Sequence, residues 1–341
     1  MSDRVLLTGA TGFLAGHCLV QLVEAGFTVR GTVRNLERGR AVIDRLPLTP
    51  EQRARVELVS ADLGKDDGWS EALRGCRFVM HVASPVPGTP PKDPQTVIRP
   101  AREGTVRVLK AAIAAKVERV VMTSSTAAVV WGNVRDGSKT YDESAWTTLG
   151  PDVGAYETSK TLAEKDAWET VQGSATELVT FNPALILGPL FDPDSSLSGE
   201  AVRLLLTREI PGIPNLGYAI VDVRDVAKVQ VQALTQPGIA GKRFLLGGRH
   251  VQFEEIAQVL GKHFGPKGFR VPTRRLPGWL LKVVALWQPA ARLTVNELGK
   301  RQDISDALAR ETFAFSPRPF EESLVAMGES MISLGVVQAR G

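Results

Sequence analysis

The stretch Thr8–Gly16 reads Thr-Gly-Ala-Thr-Gly-Phe-Leu-Ala-Gly and directly follows the apolar run Val5–Leu7 near the start of the chain. Its glycines, Gly9, Gly12 and Gly16, have the spacing of a turn that joins a buried strand to a helix. We expect the first glycine to permit the tight turn, the second to let a phosphate approach the backbone, and the third to let helix and strand pack closely. Helix N-termini bind phosphates through free N–H groups. The motif therefore predicts a dinucleotide site at the first strand of a parallel sheet.

Short apolar runs alternate with helical patterns through the first half of the chain. The runs are Val5–Leu7, Thr28–Val33, Val56–Ser60, Phe78–Val82, Arg119–Thr123 and Leu178–Phe181. The helical patterns are Gly16–Ala25, Thr105–Ala115 and Ala155–Gln172. Short strands that alternate with helices predict right-handed βαβ units and a doubly wound parallel α/β sheet, the Rossmann arrangement, of six or seven strands.

The composition of the sequence changes after Asn182, where Gly and Pro become frequent and indicate loops. The stretches Val223–Leu234 and Arg243–Leu246 look like one more helix and strand of the sheet. The remaining helical patterns are Phe253–Phe264, Pro277–Leu286, Asp303–Ala309 and Phe320–Gly335. We therefore expect a nucleotide-binding Rossmann domain of residues 1–182 plus about 219–248, and a smaller, mostly helical C-terminal substrate lobe of about 183–218 and 249–341.

The composition argues against several classes of function. The 341 residues carry a formal net charge of +4, and the basic residues form no block of the kind that coats nucleic acid. The two cysteines, Cys18 and Cys76, lie far apart and the four histidines do not cluster, so no metal site is predicted. We find no secretory signal and no apolar run of the roughly 20 residues that a membrane span needs. We expect a cytoplasmic protein without nucleic-acid or membrane partners.

The end of the second predicted strand indicates which dinucleotide binds. Proteins that bind NAD usually place an acid there to hold the ribose 2′-hydroxyl, but this chain has Val33 followed by Arg34. An arginine fork suits bidentate binding of a 2′-phosphate, and Arg38 or Arg40 is a candidate for a second contact. Glu37 is an alternative partner for a ribose. The pattern predicts NADP(H) rather than NAD(H).

Further cofactor contacts are expected where the third and fourth strands end, because sheets of this kind bind ligands beyond the carboxyl ends of their strands. The pair Asp62-Leu63 follows the third run, where the acid either meets the adenine amino group or serves as a turn residue. The stretch His81–Pro85 ends the fourth run, and Ala83 is small enough for a cofactor to lie across it.

A catalytic group is predicted from Tyr156 and Lys160, which lie four residues apart in a helical pattern and so share one face. Thr123-Ser124-Ser125 ends the fifth strand and brings a hydroxyl to the same edge of the sheet. Hydride transfer to a carbonyl creates an alkoxide that needs a proton. A tyrosine near an ammonium and an oxidised nicotinamide has a lowered pKa and can supply that proton. Ser125, or Ser124 in its place, can donate a hydrogen bond to the substrate oxygen.

With these residues in place, the chain resembles the extended short-chain dehydrogenase/reductase superfamily. Within it, the chain is most similar to the group of dihydroflavonol reductases, cinnamoyl-CoA reductases and microbial aldehyde and ketone reductases. The resemblance spans nearly the whole chain and rests on Gly9–Gly16, Gly31–Arg34, His81–Pro85, Thr123–Ser125, Tyr156 with Lys160, Phe181–Pro189 and Val221–Ala227.

The resemblance implies a role for several further residues. Pro183 and Ile186 would flank the nicotinamide, Arg34 would meet the 2′-phosphate, and Asp222 and Asp225 would tie the returning helix to the sheet. The catalytic residues would be Ser125, Tyr156 and Lys160. The expected cofactor contacts are Gly9, Thr11, Gly12, Phe13, Leu14, Gly16, Arg34, Arg38, Asp62, Leu63, Val82, Ala83, Ser84, Thr123, Tyr156, Lys160, Pro183 and Ile186.

The substrate end departs from the plant enzymes. Plant flavonoid reductases carry an amide at the position of Val130, and the region before Tyr156 lacks the aromatic and cysteine motif of cinnamoyl-CoA reductases. Both departures favour the microbial reductases and an apolar pocket for a medium-sized aldehyde or ketone. The expected substrate contacts are Pro85, Val86, Ser125, Val130, Trp131, Tyr156 and Leu190, with Phe191 nearby. The apolar members of this set are equally compatible with core or lobe packing.

Other functions share this fold. A steroid dehydrogenase/isomerase is the nearest alternative to an NADPH-dependent carbonyl reductase. A sugar-nucleotide epimerase or dehydratase would need an acid where Val33 stands. A non-enzymatic NADPH sensor would usually lack the tyrosine or the lysine. Proteins of this group occur as monomers or as homodimers, and we expect this protein to be one or the other.

Overall fold

Seven parallel strands form the central sheet of the structure, a computed structural model that describes residues 3–85, 91–194, 199–284 and 295–339. The strands are β1 (Arg4–Leu7), β2 (Thr28–Val33), β3 (Val56–Ser60), β4 (Phe78–His81), β5 (Arg119–Thr123), β6 (Glu177–Pro183) and β9 (Arg243–Leu246). Their order is β3-β2-β1-β4-β5-β6-β9, and each neighbouring pair is parallel. The predicted doubly wound sheet is therefore confirmed, including the returning strand β9.

Some helices of the described residues cover both faces of this sheet, and others pack with the C-terminal part of the chain. The helices are α1 (Phe13–Glu24), α2 (Leu36–Asp44), α3 (Pro50–Arg53), α4 (Trp69–Leu73), α5 (Gln95–Ala114), α6 (Ala155–Val171), α7 (Glu200–Leu206), α8 (Val223–Ala233), α9 (Phe253–Phe264), α10 (Gly278–Val284), α11 (Ala307–Phe313) and α12 (Phe320–Ser333). Short 3₁₀ helices span Thr126–Ala128 and Gly265–Lys267. None of the helices in the described ranges is long and apolar enough to cross a membrane.

Alternation along the strands divides the core between the two faces. Val5 and Leu7 of β1 pack with α1 and α8, whereas Leu6 between them packs with α4, α5 and α6. This division follows from the period of two that directs successive strand side chains to opposite faces. The strand order reverses between β1 and β4, and the crevice beyond their carboxyl ends is where such sheets bind ligands.

A second, smaller sheet was not predicted. Its strands are β7 (Leu185–Leu187), β8 (Gly217–Asp222) and β10 (His250–Gln252), in the order β10-β8-β7. Two of them have only three residues, which is too short for a visible alternation of apolar and polar side chains. The division of the chain into two domains stays a prediction, although β8 pairs in this sheet rather than in the central one.

Some helix boundaries differ from the predicted ones. Helix α5 begins at Gln95, ten residues before the predicted Thr105. Pro100 lies within this first part of the helix and does not break it. Buried Val97, Ile98 and Ala101 fix this first part of the helix against the core.

Near the C-terminus, the predicted helix Asp303–Ala309 is wrong. Ile304 instead pairs with Tyr141 in an isolated bridge, in which the Tyr141 N–H donates to the Asp303 carbonyl oxygen and the Ser305 N–H donates to the Tyr141 carbonyl oxygen. Helix α11 begins only at Ala307. The end of the predicted helix Pro277–Leu286 lies outside the described residues.

Candidate active site

The glycine-rich turn brings the ends of β1, β2 and β4 together. Gly9 has a φ of +67°, and a Cβ atom added there would lie 2.9 Å from the Cβ of Ala83. Both the backbone conformation and this approach require glycine. The Gly9 N–H donates to Thr32 Oγ1 at 3.1 Å, which fixes the turn against β2. The small side chain of Ala83 thus packs closely against this turn, and its predicted contact with a cofactor stays a prediction.

The N-terminus of α1 is built to receive an anion. Gly12 is its N-cap, and among the described residues no side chain caps the helix and no acid lies in its first turn. The first N–H groups of a helix have no partner within it, so they point at a ligand with the positive end of the helix dipole. The predicted role of Gly16 is wrong, because a Cβ added there would face Phe191 and Leu46 rather than the strand.

The two arginines predicted at the 2′-phosphate have different surroundings. Arg34 follows β2, is exposed, and forms no ion pair within the described part of the chain. Arg38 lies in the first turn of α2 and pairs with Asp194 at 3.1 Å and Asp192 at 3.6 Å. The position where an acid would bind a ribose is held by buried Val33. Of these two, Arg34 is therefore the guanidinium that is available to a phosphate. Arg40 is also exposed and forms no ion pair in the described ranges, and a second contact from it stays a prediction.

Asp62 and Leu63 lie where β3 ends, as predicted. The Asp62 carboxylate accepts a hydrogen bond from the Gly64 N–H at 2.8 Å, which is the behaviour of a turn residue. Leu63 packs against Gly104 of α5, where an added Cβ would lie only 2.9 Å from the Leu63 Cβ. Contact of this pair with an adenine stays a prediction.

The end of β4 is held by one buried threonine. Thr8 Oγ1 accepts from the N–H groups of Val82 at 3.1 Å and Ala83 at 3.0 Å, and it lies 2.9 Å from His81 Nδ1. Because its oxygen accepts twice, its proton goes to His81 Nδ1 and the ring proton of His81 stays on Nε2. Burial, together with the charge of Lys160, lowers the pKa of His81 to about 3, so this histidine is neutral. Ser84 follows, half-buried, at the same edge.

Ser125 and Tyr156 meet at the carboxyl edge of the sheet. Ser125 is the N-cap of the 3₁₀ helix that follows β5, where its Oγ accepts from the Ala127 N–H at 3.1 Å. The same side chain lies beside the Tyr156 hydroxyl at the start of α6, where it favours the ionised form of that hydroxyl. Ser124 instead turns inward and donates to Glu164 at 2.5 Å. Of the two serines that the sequence left open, the structure brings Ser125 to the tyrosine.

Tyr156 and Lys160 lie one helical turn apart on one face of α6, with the lysine Nζ 5.9 Å from the centroid of the tyrosine ring. Burial raises the pKa of Tyr156 to about 12, and the charge of Glu157 adds to this effect while the Ser125 side chain opposes it. The expected lowering by an ammonium together with an oxidised nicotinamide stays a prediction. Burial also lowers the pKa of Lys160 to about 8, against the opposing charge of Glu164.

Two further residues that are predicted to contact the cofactor lie at the end of β6 and directly beyond it. Pro183 is its buried last residue, and half-buried Ile186 lies in β7 directly beyond it. This is the edge of the sheet at which Ser125 follows β5, the neighbour of β6. Thr123 does not face this edge, because its hydroxyl donates to Gln230 of α8 at 3.0 Å in the core. Its predicted cofactor contact through the side chain is not what the structure shows.

The predicted substrate residues fall into two groups. Val130 is fully buried with Val129, Tyr141 and Leu245, and Leu190 is buried in the core of the C-terminal lobe. Their assignment to a substrate pocket is wrong, because apolar neighbours enclose both side chains. Among the rest, Pro85 and Trp131 are half-buried, and Val86 lies outside the described residues.

Charged groups near Tyr156 were missed by the sequence analysis. Arg135 pairs through both of its terminal nitrogens with Glu297, and its guanidinium lies 4.9 Å from the centroid of the Trp131 ring. Burial and the charges of Glu297 and Glu157 raise the pKa of Tyr218 to about 12. This side of the site is therefore not purely apolar. Sequence separation hides the pair, which spans more than 160 residues.

The residues present fit NADP(H). The uncapped N-terminus of α1 suits the pyrophosphate, the close approach at Gly9 leaves the turn free of side chains, and Arg34 suits the 2′-phosphate. No group of three or more His, Cys, Asp or Glu side chains in the described ranges could hold a metal ion.

Comparisons with known proteins agree with this geometry. The chain is 37% identical over 263 residues to cinnamoyl-CoA reductase 1 of Arabidopsis thaliana, which covers 76% of this chain and 74% of that protein. It is 33% identical over 299 residues to the ketoreductase azaE of Aspergillus niger, with coverages of 81% and 87%. The fold is similar to that of the yeast methylglyoxal/isovaleraldehyde reductase Gre2 in complex with NADPH, with a TM-score of 0.81, 24% identity, and coverages of 98% and 100%.

The family model described as the NAD dependent epimerase/dehydratase family matches residues 5–247, the span from β1 to the end of β9. This match includes the glycine-rich turn, the ends of β5 and β6, and Tyr156 and Lys160 of α6. The chain belongs to the NAD dependent epimerase/dehydratase family, within the extended short-chain dehydrogenase/reductase group that its motifs resemble.

Proposed function

We propose that the protein is an NADP-dependent oxidoreductase that reduces an aldehyde or ketone to the alcohol with NADPH, and that Ser125, Tyr156 and Lys160 carry the reaction. The observation that carries this proposal is the placement of the Ser125 side chain beside the Tyr156 hydroxyl, one helical turn before the buried Lys160. This group lies at the same edge of the sheet as the uncapped N-terminus of α1.

The roles of the three side chains follow from their surroundings. Bound NADPH supplies the hydride. The side chains of Ser125 and Tyr156 lie beside one another, so both can donate to a carbonyl oxygen placed at them, where negative charge develops. Because the pKa of Tyr156 lies at about 12, its hydroxyl carries a proton throughout the neutral range and can deliver it to the forming alkoxide. The Lys160 ammonium stabilises the tyrosinate that is left.

The cofactor preference is assigned to Arg34. It is exposed at the end of β2 without an ion-pair partner in the described ranges, and Val33 leaves no carboxylate for a ribose 2′-hydroxyl. A 2′-phosphate would gain a charge-assisted hydrogen bond that the hydroxyl of NADH cannot supply. NADPH is therefore the proposed donor.

We further infer that the substrates are medium-sized, largely apolar aldehydes and ketones. Support comes from the half-buried Pro85 and Trp131 and from the name of one similar protein, a ketoreductase. The guanidinium of Arg135 is already paired with Glu297, so it is not free to bind a diphosphate. This pairing argues against a sugar-nucleotide substrate.

The test is NADPH consumption with a panel of aromatic and aliphatic aldehydes and ketones. We expect turnover with NADPH that falls by at least about a hundredfold in Tyr156→Phe, since a general acid contributes at least that much. Tyr141→Phe is the matched control, because its hydroxyl donates to the Val134 carbonyl oxygen outside the site. Turnover that survives in Tyr156→Phe, or that requires a nucleotide-linked substrate, would overturn the proposal.

A further inference from the structure

A fully buried carboxylate lies directly behind the proposed catalytic group. Glu164 of α6 has no exposed surface and accepts hydrogen bonds from four side chains. The donors are Ser124 Oγ at 2.5 Å, Asn182 Nδ2 at 2.7 Å, Arg243 Nε at 2.7 Å and Thr180 Oγ1 at 3.1 Å. They come from the end of β5, from β6 and from β9, so this one side chain connects three neighbouring strands to α6.

Two of these donors act directly on the backbone that presents Ser125. Ser124 precedes it in sequence, and its hydroxyl is held inward by Glu164. Asn182 bonds Glu164 and also donates to the Ser125 carbonyl oxygen at 3.1 Å. The turn that directs the Ser125 hydroxyl towards Tyr156 is therefore anchored on both sides to the same carboxylate.

Glu164 also acts on Lys160, which lies one helical turn before it on the same face of α6. The other titratable or charged groups near the lysine are Tyr156 on α6, neutral His81 on β4, and Arg243 on β9, which is paired with Glu164. Lys160 is only 7% exposed, so burial favours loss of its charge. The carboxylate of Glu164 is the group that opposes this loss.

The stability of the fold does not explain the buried ion pair of Glu164 and Arg243. Arg243 is nearly buried, donates to the carbonyl oxygens of Glu143 and Ala145, stacks 3.8 Å from the centroid of the Trp146 ring, and still leaves its Nη2 without a partner among the described residues. Buried ion pairs replaced by neutral side chains of similar size are often equally stable or more stable. The placement of this pair beside Ser125 and Lys160 points to a role in the reaction.

We propose that Glu164 is a positioning residue of the reductase: its buried carboxylate keeps the Lys160 ammonium charged at the pH of the reaction and anchors the turn that presents Ser125. This inference rests on the proposed function, because it assigns Glu164 an effect only through residues of that catalytic group.

The test is the pH profile of kcat for Glu164→Gln, which keeps the size of the side chain and removes its charge. Without the carboxylate, burial acts unopposed and Lys160 loses its proton at lower pH. We expect the alkaline limb of kcat to move down by about one pH unit, because a nearby opposite charge shifts a pKa by about that much or more. At pH values on that limb, kcat should fall about tenfold while KM for NADPH changes little. A structural loss would lower the yield of folded enzyme without moving the limb.

Three further variants make the result decisive. Asp222→Asn is the matched control, since it neutralises another buried carboxylate, one that accepts from Arg224 and Ser323 away from Lys160. The alkaline limb of kcat should stay in place in this variant. Glu164→Asp retains the charge and should keep the limb near its original position. If Glu164→Gln does not fold because Arg243 is left unpaired, Glu164→Gln/Arg243→Met removes both charges and should show the same acid shift.

An unmoved limb in a folded Glu164→Gln or in the double variant would overturn this inference while leaving the proposed function intact. Failure of the wild-type enzyme to reduce any carbonyl with NADPH would instead overturn the proposed function. The two failures are therefore distinguishable.

Discussion

Replacement of Arg34 by alanine should convert the enzyme from a strong to a weak discriminator between NADPH and NADH. Arg34 is exposed at the end of β2 and pairs with no acid in the described ranges, so a 2′-phosphate meets an uncommitted guanidinium. A hydrogen bond to a charged group contributes about 1.5–3 kcal/mol. At about 1.4 kcal/mol per tenfold, Kd for NADPH should rise about 10- to 150-fold in Arg34→Ala.

The assay is titration of the free enzyme with NADPH and NADH, followed by nucleotide fluorescence. NADH lacks the 2′-phosphate, so its Kd should change by less than about twofold. Arg38→Ala is the matched control: Arg38 already pairs with Asp192 and Asp194, so its loss should weaken NADPH binding by no more than about fivefold. Equal weakening of NADPH and NADH in Arg34→Ala, or a larger effect of Arg38→Ala, would refute the reasoning.

Three more predictions test the geometry of the site. Gly9→Ala places a side chain at a φ of +67° and 2.9 Å from the Ala83 Cβ, so it should lower the free energy of unfolding by about 2–3 kcal/mol and weaken NADPH binding. Denaturant unfolding measures this loss. The control is Gly173→Ala, because Gly173 has a φ of +71° but open space around it, and this variant should lose only about 1–2 kcal/mol. Similar losses in both variants would contradict the close approach at Gly9. Thr8→Val keeps the shape but removes the acceptor of two backbone N–H groups, so unfolding should become easier by about 2 kcal/mol, and an unchanged unfolding midpoint would show that these bonds are not formed. Because the pKa of Lys160 lies at about 8, kcat for reduction should fall as the pH rises through that value and the ammonium is lost, and a kcat that stays constant up to pH 10 would contradict the role of this lysine.

Much of the sheet was predictable because its strands are short apolar runs closed by turn residues. The runs Thr28–Val33, Val56–Ser60, Arg119–Thr123 and Arg243–Leu246 coincide with strands in the structure. Their pattern depends only on local sequence, and the glycine-rich turn after β1 identifies the first of the strands that follow. The small sheet had no such signal, since two of its strands have three residues each.

The catalytic group was predictable because Tyr156 and Lys160 share a helix face. The network around Glu164 was not, because its donors come from positions up to 79 residues away in sequence and only the fold brings them together. The sequence nevertheless contained a signal for Glu164, because this residue lies four positions after Lys160 and therefore on the same face of the helix.

The substrate residues illustrate a different limit. Val130 and Leu190 are apolar residues in loops near the site, and sequence alone does not show which way such a side chain turns. Both turn into the core. The cytoplasmic location and the choice between monomer and homodimer stay predictions, because they depend on surfaces and surroundings that neither the strand pattern nor the site determines.

The most direct test of the account is to follow deuterium from NADPH that is labelled at both C4 positions of the nicotinamide ring into the product formed from an aromatic ketone. The account predicts an alcohol that carries deuterium on the former carbonyl carbon, formed by the wild-type enzyme and strongly diminished in Tyr156→Phe. An alcohol without deuterium, or the absence of any alcohol from all carbonyl substrates despite tight NADPH binding, would contradict the claim that this site transfers a hydride to a carbonyl.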